Sequence, residues 1–174
     1  MVEIETVPSE EPIVSTGAFR DGMSRLGSGV NIITSNGASG RLGFTATAVC
    51  SVSDTPPSLL VCMNRSSLQN APLKKNSVFC VNVLSAKQQA LSQVFSGADK
   101  IAMNERFRRA EWSTLATGSP VLADACVAFD CGIVTVLEVN THSLMICEVL
   151  AIQEHPTVSS LIYFDRTYHP VGRG

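Results

Sequence analysis

Three stretches hold residue types that could do chemistry. The first, GFTATAVCSVS (43–53), alternates threonine with alanine and then continues through Ser51, Val52 and Ser53. On a strand this sets Thr45 and Thr47 on one face and Ala46 and Ala48 on the other. Side chains this small let a flat ring approach the backbone, whose amides, with the hydroxyls, can meet the polar edge of a heterocycle. The same composition suits an ordinary strand, because β-branched residues favour one, so both readings stay open. The second, NRSS (64–67), follows an apolar run. Ser66 with Gln69 has capping-box spacing, which predicts a strand ending and a helix beginning there. The amides of such a first turn, with Arg65 alongside, form an anion site; a plain capped helix carries the same signature. Pro72 has no N–H and limits how regular that helix can be. The third is His142, after EVNT (138–141) at the start of an apolar segment. An imidazole can hydrogen-bond a ligand or exchange protons, although a lone histidine at a strand end is more often a surface residue.

Other chemistries lack their residues. The glycines at 27, 29, 37, 40 and 43 make no G-x-G-x-x-G between a strand and a helix, and no G-x-x-x-x-G-K-[ST] occurs. A dinucleotide would therefore not sit on a Rossmann turn. G-x-S-x-G and H-E-x-x-H are absent too. The six cysteines, at 50, 62, 80, 126, 131 and 147, form no CxxC and no zinc-ligand spacing. Lying in or at the start of apolar runs, they are expected to be reduced core residues. The histidines at 142, 155 and 169 are far apart, so no metal site is expected.

The elements that would position these residues read as mostly strand. A loose acidic arm (1–15) precedes a helix capped by Thr16, with Ala18, Phe19, Met23 and Leu26 on an approximate apolar face, ended by Gly27 and Gly29. Strands are predicted over 29–35 and 41–53 around a turn at 36–40, then over 58–64, 77–84, 126–139, 142–155 and 161–164. The prolines of DTPP (54–57) end the second of these. In 126–139, Val127, Phe129, Cys131, Ile133 and Leu137 point one way, and Asp130, Val134 and Glu138 the other. Helical patterns cover 86–95 and about 99–108, and an irregular stretch holds Trp112, Gly118 and Pro120. Strands that do not alternate regularly with helices exclude a doubly wound parallel sheet. A closed or nearly closed antiparallel barrel with peripheral helices is expected.

The 174 residues, 45% hydrophobic and 16% charged, fit one well-buried domain. A net charge of −2 offers no basic field for a nucleic acid. The acidic start lacks the apolar core of a signal peptide, and no run reaches the roughly 20 apolar residues of a bilayer span. The expectation is a soluble, cytoplasmic protein that binds neither nucleic acid nor membrane.

Taken together, the segments FRDGMSRLGSGVNIIT (19–34), GFTATAVCSVSDTPPSLLVCMNRSS (43–67), FCVNVLSAKQQALSQVFSG (79–97) and LIYFDRTYHPV (161–171) resemble the short-chain flavin reductase family. Its members are reductase components of two-component flavin-dependent monooxygenases, of the 4-hydroxyphenylacetate, chlorophenol and pyrimidine type. The resemblance covers about residues 17–171, in order. It implies a mainly β, FMN-binding split barrel (antiparallel, Greek-key, with peripheral helices), with residues 16–174 as one flavin reductase domain, usually a homodimer. It implies hydride transfer from NADH, or NADPH, to FAD or FMN. The reduced flavin would pass, by diffusion, to a separate oxygenase that hydroxylates an aromatic or heterocyclic compound. Carried onto this chain, Thr45, Ala46, Thr47, Ala48, Ser51, Val52 and Ser53 would line the flavin ring and ribityl chain. Asn64, Arg65, Ser66 and Ser67 would meet the phosphate, and Phe95 and Tyr168 would lie at the pocket. His142 would stand beside the nicotinamide. The family's glycine two residues before that histidine is Asn140 here, so the local turn is expected to differ. FAD against FMN, and NADH against NADPH, stay open, with NADH favoured. Three other readings remain: tight flavin serving another acceptor, a flavin-binding module without a nicotinamide site, and a barrel for some other apolar ligand.

Overall fold

The computed structural model describes residues 14–156 and 159–172, so the acidic arm lies outside the described residues except for Val14 and Ser15. Helix α1 spans Thr16–Ser24, and its cap is Ser15 rather than Thr16, the Ser15 hydroxyl accepting from the Ala18 amide at 3.1 Å. None of its residues is buried. The apolar face read from Phe19, Met23 and Leu26 exists but faces outward.

The predicted strand over 29–35 is divided at Val30 between two sheets. β1 (Ser28–Gly29) pairs with β11 (Ser159–Phe164), whereas β2 (Asn31–Ser35) pairs with β3 (Leu42–Ala46) and β6 (Val78–Val83). Val30 ties the two together, its amide donating to Leu161 and its carbonyl accepting from Leu84. The predicted strand over 41–53 is also divided, at Thr47 and Ala48, into β3 and β4 (Val49–Asp54). β4 turns through a cis Thr55–Pro56 bond into β5 (Pro57–Asn64). Pro57 therefore opens a strand instead of merely ending one, as a first position allows.

β9 (Val127–Val139) and β10 (His142–Glu154) complete a seven-stranded sheet in the order β3-β2-β6-β9-β10-β5-β4, antiparallel throughout. β3 and β4 are its opposite edges, yet only Thr47 and Ala48 separate them in sequence. Three Cα steps span at most about 11 Å, so the edges must meet at this corner. No ladder joins β3 to β4 among the described residues, and the wall stays open there. The fold is thus mainly β and antiparallel, a nearly closed barrel with helices outside. Two smaller sheets flank it: β1-β11-β12, with β12 (Thr167–Gly172), and β7-β8, with β7 (Trp112–Thr114) and β8 (Pro120–Leu122).

Inside the barrel, Ile33, Leu59, Val61, Phe79, Val81 and Met145 form the core. A second core holds Leu84, Phe95, Phe107, Leu122 and Leu161, with Trp112 against it; the rings of Phe95, Phe107 and Trp112 lie 5.0–5.7 Å apart. Phe95 belongs to α3 (Gln89–Ser96), which follows a 3-10 turn over Ala86–Gln88. The helix expected over 99–108 is the shorter α4, Met103–Phe107. Asp130 does face away from the barrel interior, but it is wholly buried because residues 115–121 cover that side of β9. Its carboxylate takes the Thr117 amide at 2.7 Å and the Thr117 hydroxyl at 2.5 Å.

Candidate active site

β5 is the element along which the predicted segments meet. Its register with β4 continues past Val49↔Val61 to the Ala48 carbonyl, which accepts from the Cys62 amide at 3.0 Å. Two residues on, about 7 Å along a strand, Asn64 ends β5 directly opposite His142, the first residue of β10. The Thr47–Ala48 corner, the 64–67 segment and His142 are thus drawn to one end of the barrel. A second tether holds the corner: Asn31 Nδ2 donates to the Ala46 carbonyl at 3.2 Å.

Ser66 does not start a helix. Its amide and hydroxyl both donate to Asn64 Oδ1 at 2.8 Å, which keeps 65–69 a sequence of turns. Helix α2 runs Asn70–Asn76, and no side chain caps it. Pro72 falls in its first turn, where a missing N–H costs nothing. No helix amides therefore converge at Ser66, and the charge at this end comes from side chains. Arg65 Nε lies 3.1 Å from Glu138 Oε2 and Lys74 Nζ 2.7 Å from Glu138 Oε1. The Ser143 hydroxyl donates to Glu138 Oε2 at 2.8 Å, and Asn70 Nδ2 donates to Ser143 Oγ at 3.1 Å. The Arg65 backbone amide and guanidinium also donate to the Thr141 and Asn140 carbonyls, at 2.9 and 3.1 Å. These bonds fasten the 64–67 segment to the β9–β10 turn, in which Asn140 adopts φ 47°. Asparagine tolerates that left-handed conformation better than most side chains, so it fills a place that glycine would suit. His142 is half-buried, with Nδ1 2.9 Å from the Thr141 hydroxyl.

Two grooves flank the start of β4. One, about 680 Å3, is lined by Thr47, Ala48, Leu60, Cys62, Tyr163 and Arg166 among others, with Arg20 of α1 at its side. The other, about 530 Å3, includes Ser51, Ser53, Asn31, Leu59 and Phe129. Val49 and Cys50 line both. Volumes of this size, walled by apolar and small hydroxyl side chains, are those of cofactor sites, and exposed Thr47, Ala48 and Ser51 leave room for a planar ring.

The remaining predicted residues lie apart from these grooves. Thr45 donates its hydroxyl to the Ser92 carbonyl at 2.5 Å, and Ala46 packs against the barrel core. Val52 is exposed between Ser51 and Ser53, where the register slips, and lines neither groove. Phe95 is wholly buried; it is a core residue behind β3 rather than a groove wall. Tyr168 stands behind Tyr163, ring to ring at 5.1 Å, so Tyr163 is the one facing the groove. Neither groove is lined by residues 64–67 or by His142. Arg20, Lys74, Glu138, Tyr163 and Arg166 carried no site signal in the sequence: Glu138 stands at the head of EVNT and the others outside the three stretches, and only folding brings them to this end. Val49 and Cys50 lay inside a motif and were overlooked for being apolar.

All six cysteines are free. Cys80, Cys131 and Cys147 are wholly buried as expected, but Cys50 is exposed. Burial, and then nearby Cys50, pushes the Cys62 thiol above its usual range. Among the described residues no group of three or more His, Cys, Asp or Glu side chains could hold a metal ion, and no helix is long and apolar enough to cross a membrane.

Residues 23–172 match the model of the flavin reductase like domain. An FMN reductase (NADH), RutF, of Bradyrhizobium diazoefficiens is 53% identical over 154 residues, 88% of this chain and 84% of its own. Among solved structures, a Haemophilus somnus protein superposes with a TM-score of 0.87 at 44% identity, over 91% of this chain and 100% of its own. BorF, the flavin reductase component of a bacterial two-component tryptophan halogenase, does so with a TM-score of 0.84 at 25% identity, over 92% and 100%.

Proposed function

The chain belongs to the flavin reductase like domain family, and on that premise we propose that it passes hydride from NADH to FMN and releases the reduced flavin to a separate monooxygenase. The observation that carries this is the meeting of the Thr47–Ala48 corner, the 64–67 segment and His142 at one end of β5, beside grooves of cofactor size. The FMN reductase (NADH) name carried by relatives near 50% identity supports FMN over FAD and NADH over NADPH. Hydroxylation of an aromatic or heterocyclic compound by the partner oxygenase is part of the proposal.

A bound flavin supplies the redox chemistry, which is why the chain needs no strong acid, base or nucleophile. What its residues contribute is placement. Thr47, Ala48 and Ser51 offer backbone and hydroxyl groups to the polar edge of the ring, with Ser53 further along β4. Ala46 holds the corner that presents them. Arg65, Ser67 and the Asn64 side-chain amide nitrogen receive the phosphate, with Arg65 as the charge, and Ser66, whose amide and hydroxyl both donate to Asn64 Oδ1, sets the turn between them. His142, fixed by its ladder to Asn64, orients the nicotinamide amide. The flavin behaves as substrate and product, held moderately and then released.

The exposed apolar side chains of β9, β10 and α1 support a homodimer, and a cytoplasmic location suits a chain that consumes NADH. An anaerobic titration with NADH against FMN, FAD and riboflavin tests the reading. Rapid bleaching of flavin absorbance, saturating at the lowest concentration for FMN, is expected. Flavin that binds but stays oxidised would sink it.

A further inference from the structure

Both cations beside the 64–67 segment converge on Glu138. Lys74 reaches one carboxylate oxygen from α2, and Arg65 the other from the end of β5. The Ser143 hydroxyl donates to the same oxygen as Arg65. Glu138 cannot leave with its backbone, because its register partner in the β9–β10 ladder is Ser143. Two cations that already share one two-oxygen anion are spaced to share another, and a phosphate offers the same acceptors with more charge.

We propose that Glu138 is a built-in competitor for the flavin phosphate: its carboxylate engages Arg65 and Lys74 and repels a phosphate beside them, so that FMN is held loosely enough to depart once reduced. The inference rests on the phosphate role proposed for Arg65, and it adds Lys74 as a second phosphate contact. Hydrogen bonds from Lys74 and then Ser143 hold the Glu138 carboxyl below its usual range, so its charge persists at neutral pH. Two positive charges less one leave a single net charge for an incoming phosphate that carries nearly two. A site meant to retain its flavin would lack that carboxylate. One meant to release it each turnover gains from it.

The test replaces the charge while keeping the shape. Glu138→Gln should tighten FMN about threefold to fivefold, the span of an exposed charge pair, and slow the release of reduced FMN by a like factor in stopped flow. Riboflavin, which has no phosphate, should bind as before. Lys74→Ala should loosen FMN and leave riboflavin alone. Unchanged FMN affinity in Glu138→Gln, or equal shifts for FMN and riboflavin, overturns the proposal. So does a Lys74→Ala variant that binds FMN normally. Should Glu138→Gln melt early, Glu138→Ala is read in the same way. Failure of the broader reading would be distinct, since the unaltered protein would then not reduce FMN with NADH at all.

Discussion

At the residue scale, charge and shape make separable contributions that single substitutions can part. Arg65 is half-exposed, and its backbone amide, which alanine keeps, still fastens the segment to the Thr141 carbonyl, so removing its side chain should leave the fold intact. Arg65→Ala is expected to raise KM for FMN about tenfold to a hundredfold, as loss of one charged hydrogen bond would, while riboflavin kinetics hardly change. Equal damage to both flavins would remove the phosphate contact from the argument. His142 sits on the ladder through its backbone, which alanine preserves. His142→Ala should raise KM for NADH about fivefold, the worth of one hydrogen bond, with flavin affinity steady; parallel loss of both would make the histidine structural. These residues were legible because they sit in short polar motifs between apolar runs. Thr45 and Phe95 illustrate the limit. Their motifs are equally visible, but the Thr45 hydroxyl is spent on Ser92 and Phe95 is sealed in the core, and neither bond nor burial shows in a string of letters.

At the element scale, strand identity was easier to read than strand ends. The break at Thr47–Ala48 has no glycine or proline to mark it, yet it carries the chain from one edge of the sheet to the other. The helix expected from Ser66 starts four residues later because Asn64 Oδ1 captures both the Ser66 amide and its hydroxyl. The β11–β12 hairpin was missed as well: Asp165 and Arg166 both adopt positive φ, a turn usually signalled by Asn-Gly. Its closeness to the corner comes from Asp165 donating its amide to the Ser24 carbonyl at 2.7 Å. Two substitutions probe how firmly the corner and turn are set. At Gly43, a Cβ would lie 2.8 Å from Phe95 Cε1 and 3.3 Å from the Ile33 carbonyl. Gly43→Ala should therefore cost about 1–3 kcal/mol, lowering Tm by roughly 2–4 °C per kcal/mol, and weaken flavin binding through the displaced β3. A variant as stable as the parent would show that Phe95 can give way. Asn140→Val, forcing a β-branched residue to φ 47°, should cost about 1–2 kcal/mol by thermal melting, and Asn140→Gly should not; similar melting for both would remove backbone conformation as the reason for asparagine there.

At the scale of the whole molecule, the surface poses the question that the core does not. β9 and β10 run through the middle of the seven-stranded sheet, where an outer face normally gains cover, yet Val134 is 66% exposed and Leu150 53%. Leu137 and Val139 are exposed on β9 as well, and α1 adds Phe19. Scattered apolar side chains need no explanation, but a concentration on two adjacent central strands marks an interface. The proposed homodimer would cover it, since such a face can pair with itself about a two-fold axis. A stable pair needs roughly 800 Å2 buried on each partner, which two 13-residue strands and a helix are long enough to supply. Size-exclusion with light scattering should then give twice the 18.5 kDa of one chain. The double substitution Val134→Lys with Leu150→Lys should shift it to one chain, because neither residue is in a barrel core and each lysine would bring an unpaired charge into the interface. An unaltered protein that runs as a single chain would leave these apolar side chains to another partner, and the reductase would have to work alone.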